Sequence, residues 1–208
     1  MKRIRKKKQL EMAIDSIPSH PNPKVDLEQY STPSQIASDL LWNAYTLGDI
    51  EDKSIADLGC GCGIFAISSI LLGARDALGV DIDSESVEVA RNYSRDLKNI
   101  KFMVNDVAHI DVAGEIDTVF QNPPFGSQKN AEKGTDLNFL QVAKSLNPQI
   151  IYSFHMASTF DFLIEYYEKI GLEITHGFRY SFPIPKIYKF HRQESRDVDV
   201  IVFRAKVL

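Results

Sequence analysis

The chain is predicted to be an α/β protein with a mostly parallel sheet and helices on both faces. Short apolar runs near residues 55, 77, 100 and 116 alternate with amphipathic segments, which is typical of successive βα units. The first run turns into a helix through IADLGCGCGIF, a stretch with three alternating glycines. The second run ends in Asp81, about 20 residues past the glycines, the distance at which doubly wound folds place a ribose-binding acid. Together these features predict a nucleotide site at the carboxyl edge of the sheet.

Composition predicts one domain over residues 1–208, with a basic extension at 1–26 and a basic, aromatic loop at 178–192. The net charge is −4, so any nucleic-acid contact must come from a local patch. Cys60 and Cys62 are the only cysteines, and they are expected to be reduced packing residues rather than ligands of a metal. Because no apolar run is long enough to span a bilayer and no signal peptide is evident, a cytoplasmic protein is expected.

The glycine loop is the strongest local feature. Gly59, Gly61 and Gly63 give the spacing G-x-G-x-G, which lets backbone N–H groups approach a ligand. The dinucleotide fingerprint needs G-x-G-x-x-G, and position 64 is Ile. Together with Asp57, the loop resembles motif I of the class I methyltransferases that bind S-adenosylmethionine. An ordinary surface turn remains the alternative.

The N-terminal half contains further elements. MKRIRKKK, with Lys6 and Lys7, suits either an RNA-contacting arm or a solvated tail. A helical pattern follows around residues 10–17, and an amphipathic helix is predicted over 34–45, capped by Thr32 or Ser34.

Two more βα units are predicted beyond the glycine loop. A strand over 77–82 precedes a helix over 84–97, and a strand over 100–107 ends in Asn-Asp-Val. Asp106 could face an adenine amino group, although an acid after a strand is more often a turn residue.

The second decisive stretch is Asn122-Pro123-Pro124-Phe125, directly after a predicted strand over 116–120. Two prolines fix the backbone, so the Asn122 side-chain oxygen and the Pro123 carbonyl are held as acceptors. Such a pair can receive both N–H bonds of a planar exocyclic amine, while Phe125 offers a stacking face for a base. The alternative is a rigid loop that packs a phenylalanine.

The C-terminal part continues the alternation. Helices are predicted over 136–146 and 158–170, strands over 149–154 and from 172, and a closing antiparallel strand over 198–207. His155 follows a strand and could be catalytic, but a lone histidine is more often structural. In FRYSFPIPKIYKFH, cations and aromatics suit unpaired RNA, with a hairpin as the alternative; Pro183 and Pro185 favour an exposed loop.

Several motifs together, LEQYSTP, DLGCGCGIF, GVDID, NDV, NPPFG, EKGTD and IYKFH, strongly resemble the methyltransferase-like protein five family and its archaeal relatives. This resemblance covers nearly the whole chain. It implies a Rossmann-like class I methyltransferase fold with a seven-stranded sheet, S-adenosylmethionine as cofactor, and methylation of adenine N6 in small-subunit rRNA. It also suggests a small zinc-binding activator subunit.

The same resemblance assigns roles to individual residues. The target amine and base are assigned to Asn122, Pro123, Pro124 and Phe125. Cofactor binding is assigned to Gln29, Tyr30, Thr32, Asp57, Gly59, Gly61, Gly63, Asp81, Ile82, Asp106, Val107 and Asn122. RNA contacts are expected from Lys6, Lys7, Arg179, Lys186, Tyr188, Lys189 and His191. The tail KFHRQES is less basic than in relatives, which leaves RNA affinity there less certain.

Three other functions stay open. NPPF is shared with enzymes that methylate guanine N2 or glutamine amides, so a guanine-N2 RNA methyltransferase and a glutamine-N5 protein methyltransferase are alternatives. A non-catalytic RNA-binding module would not need Asn122, which is intact.

Overall fold

The computed structural model describes residues 3–23, 31–112, 114–124, 134–185 and 195–208. Its centre is a seven-stranded sheet in the order β3-β2-β1-β4-β5-β7-β6. The strands are β1 Ser54–Leu58, β2 Asp76–Asp81, β3 Ile100–Val104, β4 Thr118–Gln121, β5 Ile150–Met156, β6 Leu172–Pro185 and β7 Ser195–Val207. The helices are α1 Lys7–Asp15, α2 Ser34–Thr46, α3 Ile64–Leu72, α4 Ser84–Ser94, α5 Thr135–Ser145 and α6 Phe160–Lys169.

The strand directions confirm the predicted fold class. β1 to β5 are all parallel, whereas β7 runs antiparallel to both of its neighbours, β5 and β6. The strand order reverses at β1 and β4, and in open α/β sheets ligands bind at such a reversal, beyond the carboxyl ends of the strands.

At the C-terminal end, the hairpin alternative is confirmed for residues 178–185, and the exposed loop is not. Residues 178–185 belong to β6 and pair with β7, so the first part of the predicted 178–192 loop is strand. β6 is the edge of the sheet, where a proline removes no ladder hydrogen bond on the open side, and Pro183 is therefore tolerated. β7, the last strand of the chain, is antiparallel as predicted and lies between β5 and β6.

Two boundaries in the first half were also predicted wrongly. β3 ends at Val104, and Val107 begins a short 3₁₀ helix instead of ending the strand. The N-cap of α2 is Pro33, without a side-chain cap, because the nearby Thr32 hydroxyl binds another partner. At the end of β3, the Asp106 side chain accepts from the Ala108 amide and so starts the 3₁₀ helix.

Apolar side chains cover both faces of the sheet. One face packs α1 to α4, with buried residues such as Leu10, Leu40 and Phe65. The other packs α5 and α6, through Leu140 and Leu163. β1 is buried at all five positions, as expected for a central parallel strand. Within the described ranges, no helix is long and apolar enough to cross a membrane.

Candidate active site

A cavity of about 580 Å³ opens at the carboxyl ends of β1, β2 and β4, within the usual size range of small-molecule sites, roughly 300–1,000 Å³. Its wall combines the glycine loop, the turns after β2 and β3, the start of the segment after β4, and the first turns of α2 and α5. Part of the N-terminal segment, between Ile14 and His20, completes the wall. The cavity therefore lies where the sequence predicted a nucleotide site.

The glycine loop is held close to the end of β2. The amides of Gly59 and Cys60 both donate to the Val80 carbonyl, at 2.8 and 3.0 Å. Gly59 lines the cavity, and a Cβ there would lie 3.1 Å from the Phe139 ring. Gly63 has φ 85°, and a Cβ on it would meet the Phe102 ring at 2.8 Å. Both positions therefore require glycine, one beside the cavity and one beneath it.

Asp57 lies beneath the loop, and it is not among the described residues that line the cavity. Its buried carboxylate accepts a hydrogen bond of 3.0 Å from the Ala66 amide, in the first turn of α3. Burial is the main reason that its pKa is raised to about 7, with repulsion from Asp81 adding to the shift. The structure thus places Asp57 where it supports the loop and the start of α3.

Asp81 faces the cavity from the end of β2. One carboxylate oxygen accepts from the Gly61 amide at 2.7 Å and the other from the Asp83 amide at 2.9 Å. Burial raises its pKa, whereas these two amide bonds lower it. A carboxylate has about four lone-pair positions, so each oxygen can still accept a hydroxyl. This geometry suits the two vicinal hydroxyls of a ribose.

The wall next to Asp81 contains the other residues predicted to hold a nucleoside. Ile82, Asp106 and Val107 all line the cavity. The Asp106 side chain accepts from the Ala108 amide at 2.9 Å, which caps the 3₁₀ helix and fixes the carboxylate at the rim. Asp106 is therefore a turn residue that also lines the cavity, and its contact with an adenine stays a prediction.

Asn122 follows β4 and projects into the same cavity. Its side-chain nitrogen donates to the Thr32 hydroxyl across 3.0 Å. Its side-chain oxygen is buried and has no hydrogen-bond partner among the described residues. Buried acceptors are rarely left unpaired, so this oxygen is available to a ligand donor. Pro124 also lines the cavity, while Pro123 is buried behind it.

Several residues of the wall were not predicted. Phe139 and Thr135 lie on α5, which no local pattern connects with the glycine loop. His20 also lines the cavity, and its ring contacts Asp83 at 2.6 Å. Because His20 Nδ1 accepts from the Asn22 amide, the proton is on Nε2, which donates to Asp83. Only the fold brings these parts of the chain together.

The N-terminal basic segment and the basic, aromatic segment on β6 approach each other at Asp39. Lys7 on α1 pairs with Asp39 on α2, and the Tyr180 hydroxyl on β6 donates to the same carboxylate at 2.8 Å. Lys6 is exposed, and Arg179 stands 5.2 Å from the centre of the Phe160 ring. Other predicted residues lie outside the described part of the chain: Gln29, Tyr30, Phe125, Lys186, Tyr188, Lys189 and His191.

Cys60 and Cys62 are free and buried, as expected, and both also line the cavity. Burial raises the pKa of both thiols, which keeps them protonated and poorly reactive. The described residues contain no group of His, Cys, Asp or Glu side chains arranged to hold a metal ion.

The sheet order, the glycine loop and the acid at the end of β2 define a class I methyltransferase that uses S-adenosylmethionine. The described residues fit this cofactor, because the loop approaches closely without side chains and Asp81 keeps free lone pairs for a ribose. Residues 34–149 match the family model "Methyltransferase small domain". The chain belongs to this family and, within it, to the METTL5-like methyltransferases, as the following relatives show.

The rRNA N(6)-adenosine-methyltransferase METTL5 of Danio rerio is 37% identical over 96% of this chain and 98% of its own length. An uncharacterized Methanocaldococcus jannaschii protein is 42% identical over 98% of this chain and 95% of its own. The crystal structure of Pyrococcus horikoshii PH1948 superposes with a TM-score of 0.88 at 37% identity, covering 99% of this chain and 100% of that one. The likeness therefore extends over the whole length of the fold.

Proposed function

We propose that the protein transfers a methyl group from S-adenosylmethionine to the N6 amine of an adenosine in RNA, with small-subunit rRNA as the substrate. The observation that carries this proposal is the buried side-chain oxygen of Asn122, a residue of the cavity wall, which has no hydrogen-bond partner within the described ranges. The printed names of full-length relatives from Danio rerio and Drosophila melanogaster, both rRNA N(6)-adenosine-methyltransferases, support the choice of substrate. A cytoplasmic location is part of the same proposal.

The target amine would be held by acceptors alone. Its two N–H groups would donate to the Asn122 oxygen and the Pro123 carbonyl, which draws the nitrogen toward tetrahedral geometry and turns its lone pair toward the methyl donor. S-adenosylmethionine would supply an activated methyl group on a sulfonium and leave as the neutral thioether, so no general base has to generate the nucleophile. The methylated nitrogen would then release one of its protons to solvent. Orientation is then the main contribution of the protein, and such effects reach roughly 7–11 kcal/mol at the extreme.

The hydrogen bond from Asn122 to Thr32 decides which end of the amide faces the amine. Because the nitrogen is already engaged with the Thr32 hydroxyl, the oxygen is the end without a partner among the described residues, and it would receive the amine. An inverted amide would present a donor to a donor and repel the substrate. Phe125 is predicted to stack on the flipped base, an interaction worth about 1–3 kcal/mol.

The cofactor would lie along the wall from the glycine loop to the turn after β3. Asp81 would accept from the ribose hydroxyls, Asp106 and Val107 would meet the adenine, and Gly59 and Gly61 would pass under the methionine portion. Asp57 and Gly63 would act from below by shaping the loop. Gln29, Tyr30 and Thr32 are predicted to close over the carboxylate of the cofactor.

RNA recognition is assigned to the two basic segments. The shared carboxylate of Asp39 places the start of α1 beside β6, so the cations at the two ends of the chain can serve one surface. Because Asp39 compensates the charge of Lys7, the exposed Arg5 and Lys6 are better placed to meet phosphates. The family resemblance adds a small zinc-binding activator subunit as an expected partner.

The proposal is tested by incubating the protein with small-subunit rRNA and labelled S-adenosylmethionine, followed by nucleoside mass spectrometry. N6-methyladenosine is expected from the wild type. Asn122→Ala should lose about 10²–10³ in rate, by analogy with the removal of an oxyanion-hole donor, while cofactor affinity and melting temperature stay near wild type. Labelled N2-methylguanosine, or label only in a glutamine-containing peptide, would instead identify one of the alternatives. Near-normal methylation by Asn122→Ala would show that another group holds the amine.

A further inference from the structure

A fully buried histidine lies behind the active site. His155, on β5, is 0% exposed. Its Nδ1 lies 2.8 Å from an Asp136 carboxylate oxygen, and its Nε2 lies 2.9 Å from the Ser153 hydroxyl and 2.8 Å from the Tyr167 hydroxyl. The Ser153 oxygen in turn accepts from the Gln121 side-chain amide at 2.8 Å. None of these side chains takes part in the transfer step proposed above.

The hydrogen bond between His155 and Asp136 has a defined direction. A carboxylate only accepts, so His155 Nδ1 carries a proton and donates to Asp136. In the neutral ring, Nε2 is then an acceptor for hydroxyl protons, and Ser153 can donate to it while accepting from Gln121. The path therefore runs from Gln121 through Ser153 and His155 to Asp136.

The two ends of this path adjoin two residues that line the cavity. Gln121 is the last residue of β4 and immediately precedes Asn122. Asp136 lies in the first turn of α5 and immediately follows Thr135. Asn122 and Thr135 both line the cavity. One imidazole ring thus links the end of β4, next to Asn122, with the start of α5, next to Thr135.

We infer that His155 is a positioning residue for methyl transfer, because it ties the end of β4 and the start of α5 to β5 and so sets the position of Asn122. The inference rests on the proposed function. A role limited to packing explains the network poorly, since a buried polar network is costlier than an apolar core unless every group is paired. Here the Gln121 oxygen has no partner among the described residues, so the arrangement is not the most stable one for a core.

The test uses Asp136, whose side chain is 22% exposed, so replacing it should leave the fold intact. Asp136→Ala removes the acceptor for His155. Asp136→Asn loses the charge, but its amide oxygen can still accept the same bond. We expect kcat on rRNA to fall roughly 10- to 100-fold in Asp136→Ala, the scale of a misplaced reacting group, and to stay near wild type in Asp136→Asn. The Kd for S-adenosylmethionine should be similar in all three proteins.

Two further variants separate positioning from stability. His155→Leu should lower kcat as Asp136→Ala does, and the double variant should be no slower than either single variant, because both break one path. Tyr167→Phe removes a hydroxyl that also contacts the His155 ring but lies outside the path from Gln121 to Asp136. This variant should therefore lower the melting temperature without changing kcat. Additive losses in the double variant, or equal losses in Asp136→Ala and Asp136→Asn, would overturn the inference.

Hydrogen exchange provides a measurement that needs no substrate. The peptide containing Asn122 should exchange faster in Asp136→Ala than in Asp136→Asn. If the wild type forms no N6-methyladenosine, the proposed function fails. The exchange rates of the two variants still decide whether the network anchors the backbone at Asn122. Equal exchange in the two variants would show that it does not.

Discussion

The side-chain nitrogen of Asn122 donates a hydrogen bond to the hydroxyl of Thr32, across 3.0 Å and between residues 90 positions apart in the chain. Thr32 is buried just before α2, and Asn122 follows β4. The bond fixes the amide with its oxygen as the end that has no partner among the described residues. Under the proposed function, Thr32 would act on the target amine through Asn122, in addition to any contact with the cofactor.

Thr32→Val tests this relationship, because valine has nearly the same shape and lacks the hydroxyl. The Asn122 amide would then lose its orienting acceptor, an interaction worth about 1–2 kcal/mol, so kcat should fall roughly 5- to 30-fold. The measurement is methylation of rRNA at saturating cofactor. Thr32→Ser keeps the hydroxyl and serves as the matched control. If the valine variant turns over like the serine variant, the amide is oriented by another group.

The sequence predicted the part of the site that is built from strand ends. Asp81, Asn122 and the glycines could be found because each lies at or just after the carboxyl end of a predicted strand. Parallel strands bring these ends to one edge of the sheet. The sheet order agrees with that expectation. These residues line the cavity, with the exception of Gly63.

The parts that the sequence did not predict depend on long-range packing. Phe139 covers Gly59 from α5, and His20 reaches Asp83 across 63 positions, and neither has a local motif. The sequence also did not predict that the Asp57 carboxylate accepts from the Ala66 amide at the start of α3, and its contact with the cofactor stays a prediction. A motif predicts which residue types recur together, but the direction of a buried side chain depends on the amides around it.

Asp81 is predicted to carry much of the affinity for the cofactor. Asp81→Ala removes an acceptor of two ribose hydroxyls and also releases the Gly61 amide, so binding should weaken by about 1–3 kcal/mol, or roughly 5- to 150-fold in Kd. Isothermal calorimetry with S-adenosylmethionine measures this change. Asp96→Ala removes an exposed carboxylate far from the cavity and should bind like wild type. Unchanged affinity in Asp81→Ala would show that Asp81 does not bind the ribose hydroxyls of the cofactor.

The exposed cations at the start of the chain are predicted to bind RNA. The double variant Arg5→Ala/Lys6→Ala should weaken rRNA binding and lower its salt dependence by about 0.7–0.9 in slope for each lost phosphate contact. Filter binding at several salt concentrations gives both quantities. Lys98→Ala/Lys169→Ala removes the same charge from other exposed positions and is the matched control. The proposal fails if both double variants change the slope equally.

Asp57 is predicted to make stability depend on pH. Its folded-state pKa is raised to about 7, above the ordinary value of about 3.9 for an unfolded chain, so between these values the folded state binds the extra proton. The contribution of this group is therefore fully present below the unfolded pKa and is lost as the pH rises through the folded pKa. The slope can reach at most about 1.4 kcal/mol per pH unit. Charge on a buried carboxylate opposes folding, even though the carboxylate holds the Ala66 amide.

Asp57→Asn isolates this effect, because its amide oxygen can still accept from Ala66 while its charge is absent at every pH. Urea unfolding of both proteins between pH 4.5 and 8 gives their free energies of unfolding. The difference between variant and wild type should shift in favour of the variant as the pH rises toward 7, and it should then level off above the folded pKa. A difference that is constant across this range would mean that Asp57 is ionised throughout in the folded protein, with the Ala66 amide and the start of α3 compensating its burial.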